Sequence, residues 1–236
     1  MQFDSAGLAE FYDSPLGQVT RRLILRRLKA AWPDLRGTRI LGYGFALPYL
    51  RAFALDAERV VALLPEDLGP YCWPSPQSLS LVAEEDELPF ADALFDRVLM
   101  IHGLETADAA RPVMRQIWRV LAPAGRLLIV APNRTSLWAQ ADRSPFAHGR
   151  PFTRGQLSRL LKDAMFVPER WEMALLAPPV KSRRLVRSGN GWERTGRLLW
   201  PKLAGVHVVD ATKSLYAAAP VRKARRLQAV LSPARA

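Results

Sequence analysis

Residues 39–50 read RILGYGFALPYL, an apolar run that breaks at Gly42-Tyr43-Gly44 and resumes around Pro48. An extended apolar segment that ends in a Gly-x-Gly turn and passes into a helix with proline in its first turn is the opening of a β-α unit. Glycines in such a turn let the backbone approach a ligand with no side chain in the way. The helix that follows turns unpaired N–H groups towards any negatively charged part of that ligand. Taken alone the turn is a weak signal, because many β-α turns carry two glycines for packing. Its flanks decide what it belongs to.

Working outward, strands and helices alternate. TRILGYG reads as a strand, ALPYLRAFAL as a helix and ERVVALLP as a second strand. SLSLVAE and FDRVLMIHG read as the third and fourth strands. GRLLIVAPN reads as the fifth, entered through the Ala-Gly turn at 124–125. ADAARPVMRQIWRVLAP and TRGQLSRLLKDAM read as helices, the second capped by Thr153. Upstream, SPLGQVTRRLILRRLKAAWP reads as the first helix, with Ser14 as cap and Pro15 in the first turn. Its residues Leu16, Val19, Leu23, Ile24, Leu28 and Ala31 share one face, and Arg22, Arg26 and Lys29 another.

Continuous apolar runs such as VLMI and RLLIVA suit strands buried on both faces of a parallel sheet. The alternation therefore predicts a doubly wound, mostly parallel α/β sheet. The last third differs. PERWEMALLAPP and GVHVVDATKSLYAAA read as closing strands, the final one antiparallel, with the basic, helix-prone KSRRLVRSGNGWERTGRLLWPK between them. RKARRLQAVLSPARA reads as a mobile basic tail.

Composition limits the classes open to the chain. Its 236 residues suit one α/β domain, and 49% apolar residues supply an ordinary core. No run of 18 apolar residues exists, and the acidic start MQFDSAGLAEFYD lacks a signal pattern, which predicts a cytoplasmic protein. The single cysteine, Cys72, excludes an internal disulfide, and histidines scattered at 102, 148 and 207 predict no metal site. Charge is uneven: residues 1–118 carry a net −4 and residues 119–236 a net +16, which together make the overall +12. A basic half suits RNA, an anionic surface or an acidic protein as partner, or it is simply a solvated face.

One ordered set of segments is far more specific than the glycine turn. The Gly-x-Gly turn is followed by ExxLPFADxxFDRV at 85–98, by IHGLE, and by IWRVLAPAGRLLIV at 117–130. This order resembles the class I S-adenosylmethionine-dependent methyltransferases, in particular the branch called type 11, over roughly residues 38–165. The resemblance implies S-adenosylmethionine as cofactor, bound at the carboxyl ends of the strands. It implies that Gly42, Tyr43, Gly44 and Ala46 underlie the methionine part, Ala46 standing where a third glycine is usual. Leu64 and Pro65 mark the place of the ribose carboxylate, and Glu84 and Glu85 match the pair that meets the adenine. Ile101 and His102 lie beneath the methionine near the transferred methyl.

The chain also departs from the family pattern. Ile40 replaces an acid that organises the cofactor's amino group, and Leu64 replaces the ribose acid. A lost charge-assisted contact costs about 1.5–3 kcal/mol. Compensation would fall to Glu66, Asp67 or the Tyr71–Trp73 loop. His102 is the candidate general base and His148 a second.

The expected organisation is a single domain over 1–236. A helical cover spans 1–37, the cofactor-binding core 38–165, closing strands with a basic insertion 166–219, and the basic tail 220–236. Two functions compete. One is methyl transfer to a small or lipid-like acceptor. The other is a catalytically silent fold whose residues 181–202 and 220–236 bind another protein or RNA.

Overall fold

In the computed structural model the described residues are 4–73, 79–141, 144–177, 179 and 203–215. The basic segment 181–202 and the tail 220–236, where the expected helix and the protein or RNA contacts fall, lie outside them.

Two helices open the chain, α1 (Ser5–Asp13) and α2 (Pro15–Ala31). The sequence reading began the first helix at Ser14. The structure adds α1 before it, with the Asp4 carboxylate accepting from the Gly7 N–H. Ser14 caps α2 as predicted by accepting from Gly17 N–H at 3.0 Å, and its extended backbone separates the two helices. Leu23, Ile24 and Leu28 are the buried side of α2.

A seven-stranded sheet follows, with β1 (Arg39–Gly44), β2 (Arg59–Pro65), β3 (Ser80–Ala83), β4 (Phe95–Ile101), β5 (Leu121–Pro132), β6 (Phe166–Ala174) and β7 (Val206–Lys213). The strand order is β3-β2-β1-β4-β5-β7-β6. The pairs from β3 through β5 are parallel, and β7 runs antiparallel between β5 and β6. The doubly wound, mostly parallel sheet is thus the one the sequence predicts. The closing strands β6 and β7 pair antiparallel with each other at one edge of the sheet, and β7 joins that pair to β5.

Strand β4 explains why the sheet is covered on both faces. Leu99 and Ile101 enter the core under α1 and α2, while Val98 and Met100 enter the core shared with α4 (Ala110–Val120) and α5 (Arg154–Asp163). All four are fully buried, as the period of two requires when both faces are apolar. Thr153 and Gln156 cap α5 reciprocally.

Two boundaries moved. The helix expected over ALPYLRAFAL is α-helical only in α3 (Leu47–Leu50). Beyond it the N–H groups of Ala52, Phe53, Ala54, Asp56 and Ala57 bond three or four residues back as successive turns. The Ala-Gly turn at 124–125 is a bulge inside β5. The register shifts between Phe95 and Arg97, and Ala124 has a φ of 57°.

The motif segments turn out to anchor the sheet. Arg119 of α4 donates to the carbonyls of Leu88 and Phe90, both at 2.7 Å, which fixes the LPF segment to IWRVL. Asp96 accepts the Arg39 N–H at 2.8 Å where β1 begins.

Candidate active site

Open parallel sheets bind ligands beyond the carboxyl ends of their strands, at the point where the strand order reverses. Here that point lies between β1 and β4. Register brings Gly44 beside Ile101 and Pro65 beside Ala83, so the predicted residues at four strand ends share one edge. Ile101, His102 and Gly103 continue from β4, and all are buried.

The turn is held tightly. Gly44 has a φ of 77°, and a Cβ there would lie 2.4 Å from the Ile101 carbonyl oxygen and 2.8 Å from Gly103 N. Its bare Cα therefore faces the neighbouring β4 loop. This corrects the expectation that the missing side chain makes room for a ligand. A Cβ on Gly42 would meet the Leu50 side chain at 2.5 Å. Tyr43 points to the opposite face of the sheet, in the core with Leu88 and Leu104, so only its backbone belongs to this edge. Burial pushes its phenol well up from the usual value.

The cleft has an open end and a closed end. At the open end a cavity of about 270 Å³ is lined by Glu66, Asp67, Glu84, Glu85, Asp86 and Asp108. Glu66 and Asp67 begin a single 3₁₀ turn directly after β2, and both are exposed. Leu64 is fully buried in the core and adds no polar atom, so the acids two and three positions later are the groups available at this strand end. Glu85 accepts the Asp108 N–H at 3.1 Å, and burial raises its carboxyl above the ordinary range. Among the described residues no cluster of histidine, cysteine and acids has metal-site geometry.

The closed end lies over His102. Phe45 and Ala46 are buried beneath Tyr12 of α1, whose ring stacks on Phe45 at 6.2 Å between centroids. Tyr12 Oη is 2.8 Å from His102 Nε2, and Tyr49 donates to Tyr12 Oη at 3.0 Å. His102 Nδ1 is 3.2 Å from Glu105 Oε1. Tyr12 has one proton; because Tyr49 donates to it, that proton points at Nε2. The imidazole N–H is then on Nδ1 and donates to the Glu105 carboxylate. Phe146 packs against the imidazole at 4.9 Å. Burial pushes the Tyr12 and Tyr49 phenols up, keeping both neutral. His102 itself has a φ of 52°, an uncommon backbone state for a residue with a side chain.

Sequence reasoning found His102 but missed Tyr12, Tyr49, Phe146 and the role of Glu105. Tyr12 had a local signal: an Asp4 cap followed by apolar residues at 8, 11 and 12 marks a helix with one buried face. Its meeting with His102, 90 positions away, had none. His148, the second candidate base, places Nδ1 3.1 Å from the Ser144 carbonyl in its own turn.

The residues present accommodate S-adenosylmethionine in two unequal parts. Carboxylates at the open end suit the hydroxyl and amino donors of an adenosine and favour a cationic sulfonium nearby. Over His102 and Phe45 the cleft is closed by Tyr12 of α1.

Comparison with known proteins agrees with this layout. Residues 42–129 match the family model described as "Methyltransferase domain". The demethylmenaquinone methyltransferase of Thermus thermophilus is 29% identical over 132 residues, which is 55% of this chain and 59% of that protein. The chain therefore spans little more than half the length of that relative. A S-adenosylmethionine-dependent methyltransferase from Aquifex aeolicus superposes with a TM-score of 0.61 at 15% identity, covering 90% of this chain and all of that one. The [4+2]-cyclase SpnF superposes with a TM-score of 0.58 at 18% identity over 82% of this chain and 80% of its own.

Proposed function

We propose that this chain, a class I S-adenosylmethionine-dependent methyltransferase of the type 11 group, transfers a methyl group to a small or lipid-like acceptor. The observation that carries this reading is the row of polar groups at the strand ends: four acids after β2 and β3, the tight turn after β1, and the His102–Glu105 pair after β4. S-adenosylmethionine, the cofactor of this family, supplies a methyl carbon already activated by a sulfonium sulfur.

The chain's own residues then position and deprotonate. Glu66 and Asp67 accept from ribose hydroxyls, in place of the acid that Leu64 does not provide. Glu84 and Glu85 meet the adenine. Gly42, Tyr43, Gly44 and Ala46 form the floor beneath the methionine through their backbone. His102, with Nδ1 held by Glu105, takes a proton from the acceptor through Nε2. Phe45, Tyr49, Phe146 and Trp138 make this end apolar and aromatic. The name of the Thermus relative also supports an apolar, lipid-like acceptor. Among the described residues no helix is long and apolar enough to cross a membrane.

A specific observation favours a second reading. Ile40 and Leu64 are fully buried where the family has acids, and Tyr12 closes the end of the cleft over His102. A catalytically silent protein that binds a macromolecule through its basic half would look like this. The cyclase on the same fold shows that the fold does not by itself fix the reaction.

Calorimetry of the full chain with S-adenosylmethionine and S-adenosylhomocysteine separates the two. The methyltransferase reading expects binding that weakens roughly 10- to 150-fold in the Glu66→Gln/Asp67→Asn variant, the loss of one charge-assisted contact. Absence of any binding heat at millimolar ligand would sink it.

A further inference from the structure

The closed end of the cleft is organised around a single hydroxyl group. Tyr12 Oη receives a hydrogen bond from Tyr49 and gives its own to His102 Nε2, behind which stands Glu105. Glu105 is 2% exposed, and its Oε2 has no partner among the described residues. Burying a carboxylate oxygen without a partner works against stability. A core built only for packing would place phenylalanine at 12 and an apolar residue at 105. His102 also holds a left-handed backbone, a state over-represented at functional sites.

The ring surroundings repeat the pattern. Phe45 stacks on the Tyr12 ring, and Phe11 and Tyr49 meet it edge-on. A flat, hydroxylated six-membered ring is what this end of the site holds.

We propose that Tyr12 occupies the place of the acceptor, that the acceptor is an aromatic ring bearing a hydroxyl, and that α1 is a plug that withdraws before it enters. The inference rests on the methyltransferase reading and assigns its acceptor class. With the acceptor bound, its O–H proton passes to His102 Nε2 and its oxygen lone pair forms the new O–CH₃ bond. The carbon–sulfur bond breaks with its electron pair going to sulfur, leaving a neutral sulfide. Glu105 balances the imidazolium until its proton leaves to solvent. Helix α1 is suited to withdrawal. It has only nine residues and is separated from α2 by the extended backbone of Ser14.

The test uses 4-methylphenol, the tyrosine side chain cut at Cβ, against toluene, which lacks only the hydroxyl. In full-length wild-type protein 4-methylphenol should speed amide hydrogen exchange in residues 5–13 at concentrations where toluene does not. In Tyr12→Ala, calorimetry should find 4-methylphenol binding at least about fivefold tighter than toluene, since a buried acceptor nitrogen is otherwise left unpaired. His102→Phe in that background should erase the difference. Equal affinity for the two ligands in Tyr12→Ala overturns the acceptor class. Unchanged α1 exchange in the wild type under saturating 4-methylphenol overturns the plug. Should Tyr12→Ala fail to fold, Tyr12→Phe keeps the ring, and its α1 should exchange faster with no ligand present; exchange as slow as wild type overturns the proposal. None of these readouts needs S-adenosylmethionine, so a failure of cofactor binding would count against the methyltransferase reading alone.

Discussion

Replacing Gly44 by alanine should destabilise the protein far more than the same change at Gly42, although both belong to one Gly-x-Gly turn. At Gly44 the new Cβ would lie 2.4 Å from the Ile101 carbonyl oxygen, 2.8 Å from Gly103 N and 2.9 Å from Gly103 Cα. All three are backbone atoms at the end of β4 or just after it, so relief requires parting two strand ends. The φ of 77° adds the left-handed penalty of about 1–2 kcal/mol. Overpacking a rigid site costs about 1–3 kcal/mol more. The sum is roughly 2–5 kcal/mol. At Gly42 the close atoms are the two terminal methyls of Leu50, at 2.5 and 3.0 Å, and Ala46 Cβ at 3.1 Å, so relief asks side chains rather than two strand ends to shift. Alanine also gains about 0.5–1 kcal/mol over glycine inside a strand, so Gly42→Ala should fall within about 1 kcal/mol of wild type. For a domain of this size 1 kcal/mol moves Tm by about 2–4 °C, so Gly44→Ala should melt roughly 4–20 °C lower. Urea titration with calorimetric Tm checks both variants. A Gly44→Ala protein within about 1 kcal/mol of wild type, or no worse than Gly42→Ala, would refute the view that Gly44 is required by strand-end packing.

Three further outcomes concern groups away from the cleft. His207 is buried in β7, and burial depresses its imidazole from 6.5 to about 4. The unfolded chain therefore binds a proton that the folded one refuses between those values. Stability should fall as pH drops from about 6.5 towards 4, by at most about 3 kcal/mol, and His207→Phe should flatten this part of the urea-midpoint profile. Arg126 pairs with Asp210 at 2.5 Å, where Asp210 is 2% exposed and Arg126 30%. Arg126→Met should cost about 3 kcal/mol, the lower end of the range for stranding a buried charge, and Arg126→Met/Asp210→Leu should recover most of it in the same denaturation assay. Thr153→Ala removes one arm of the α5 capping box and should cost about 1 kcal/mol by thermal unfolding.

Much of the fold was legible because its causes are local or periodic. Ser14 and Thr153 cap helices with their own side chains, and β4 shows its double burial in four consecutive apolar residues. The LPF and IWRVL segments, read as parts of one ordered set, meet in the fold, where Arg119 donates to the Leu88 and Phe90 carbonyls. Boundaries were less legible. The bulge at Ala124–Gly125 and the early end of α3 depend on what β4 and the core require of those residues.

The site divides in the same way. Sequence alone determined the sheet, its strand ends and the identity of the residues placed there, because β-α alternation fixes which ends of the strands meet. It also placed the apolar Ile40 in the first strand and Leu64 at the end of the second. Only the tertiary structure decided what each of these residues faces. It turned the bare Cα of Gly44 towards Ile101, sent the Tyr43 ring to the opposite face, and left Glu66 and Asp67 as the acids at the second strand end. Above all it laid Tyr12 onto His102 across 90 positions of chain. Hydrogen-bond pairing at that separation has no period and no spacing to announce it. It exists only where α1 folds back over the end of the sheet.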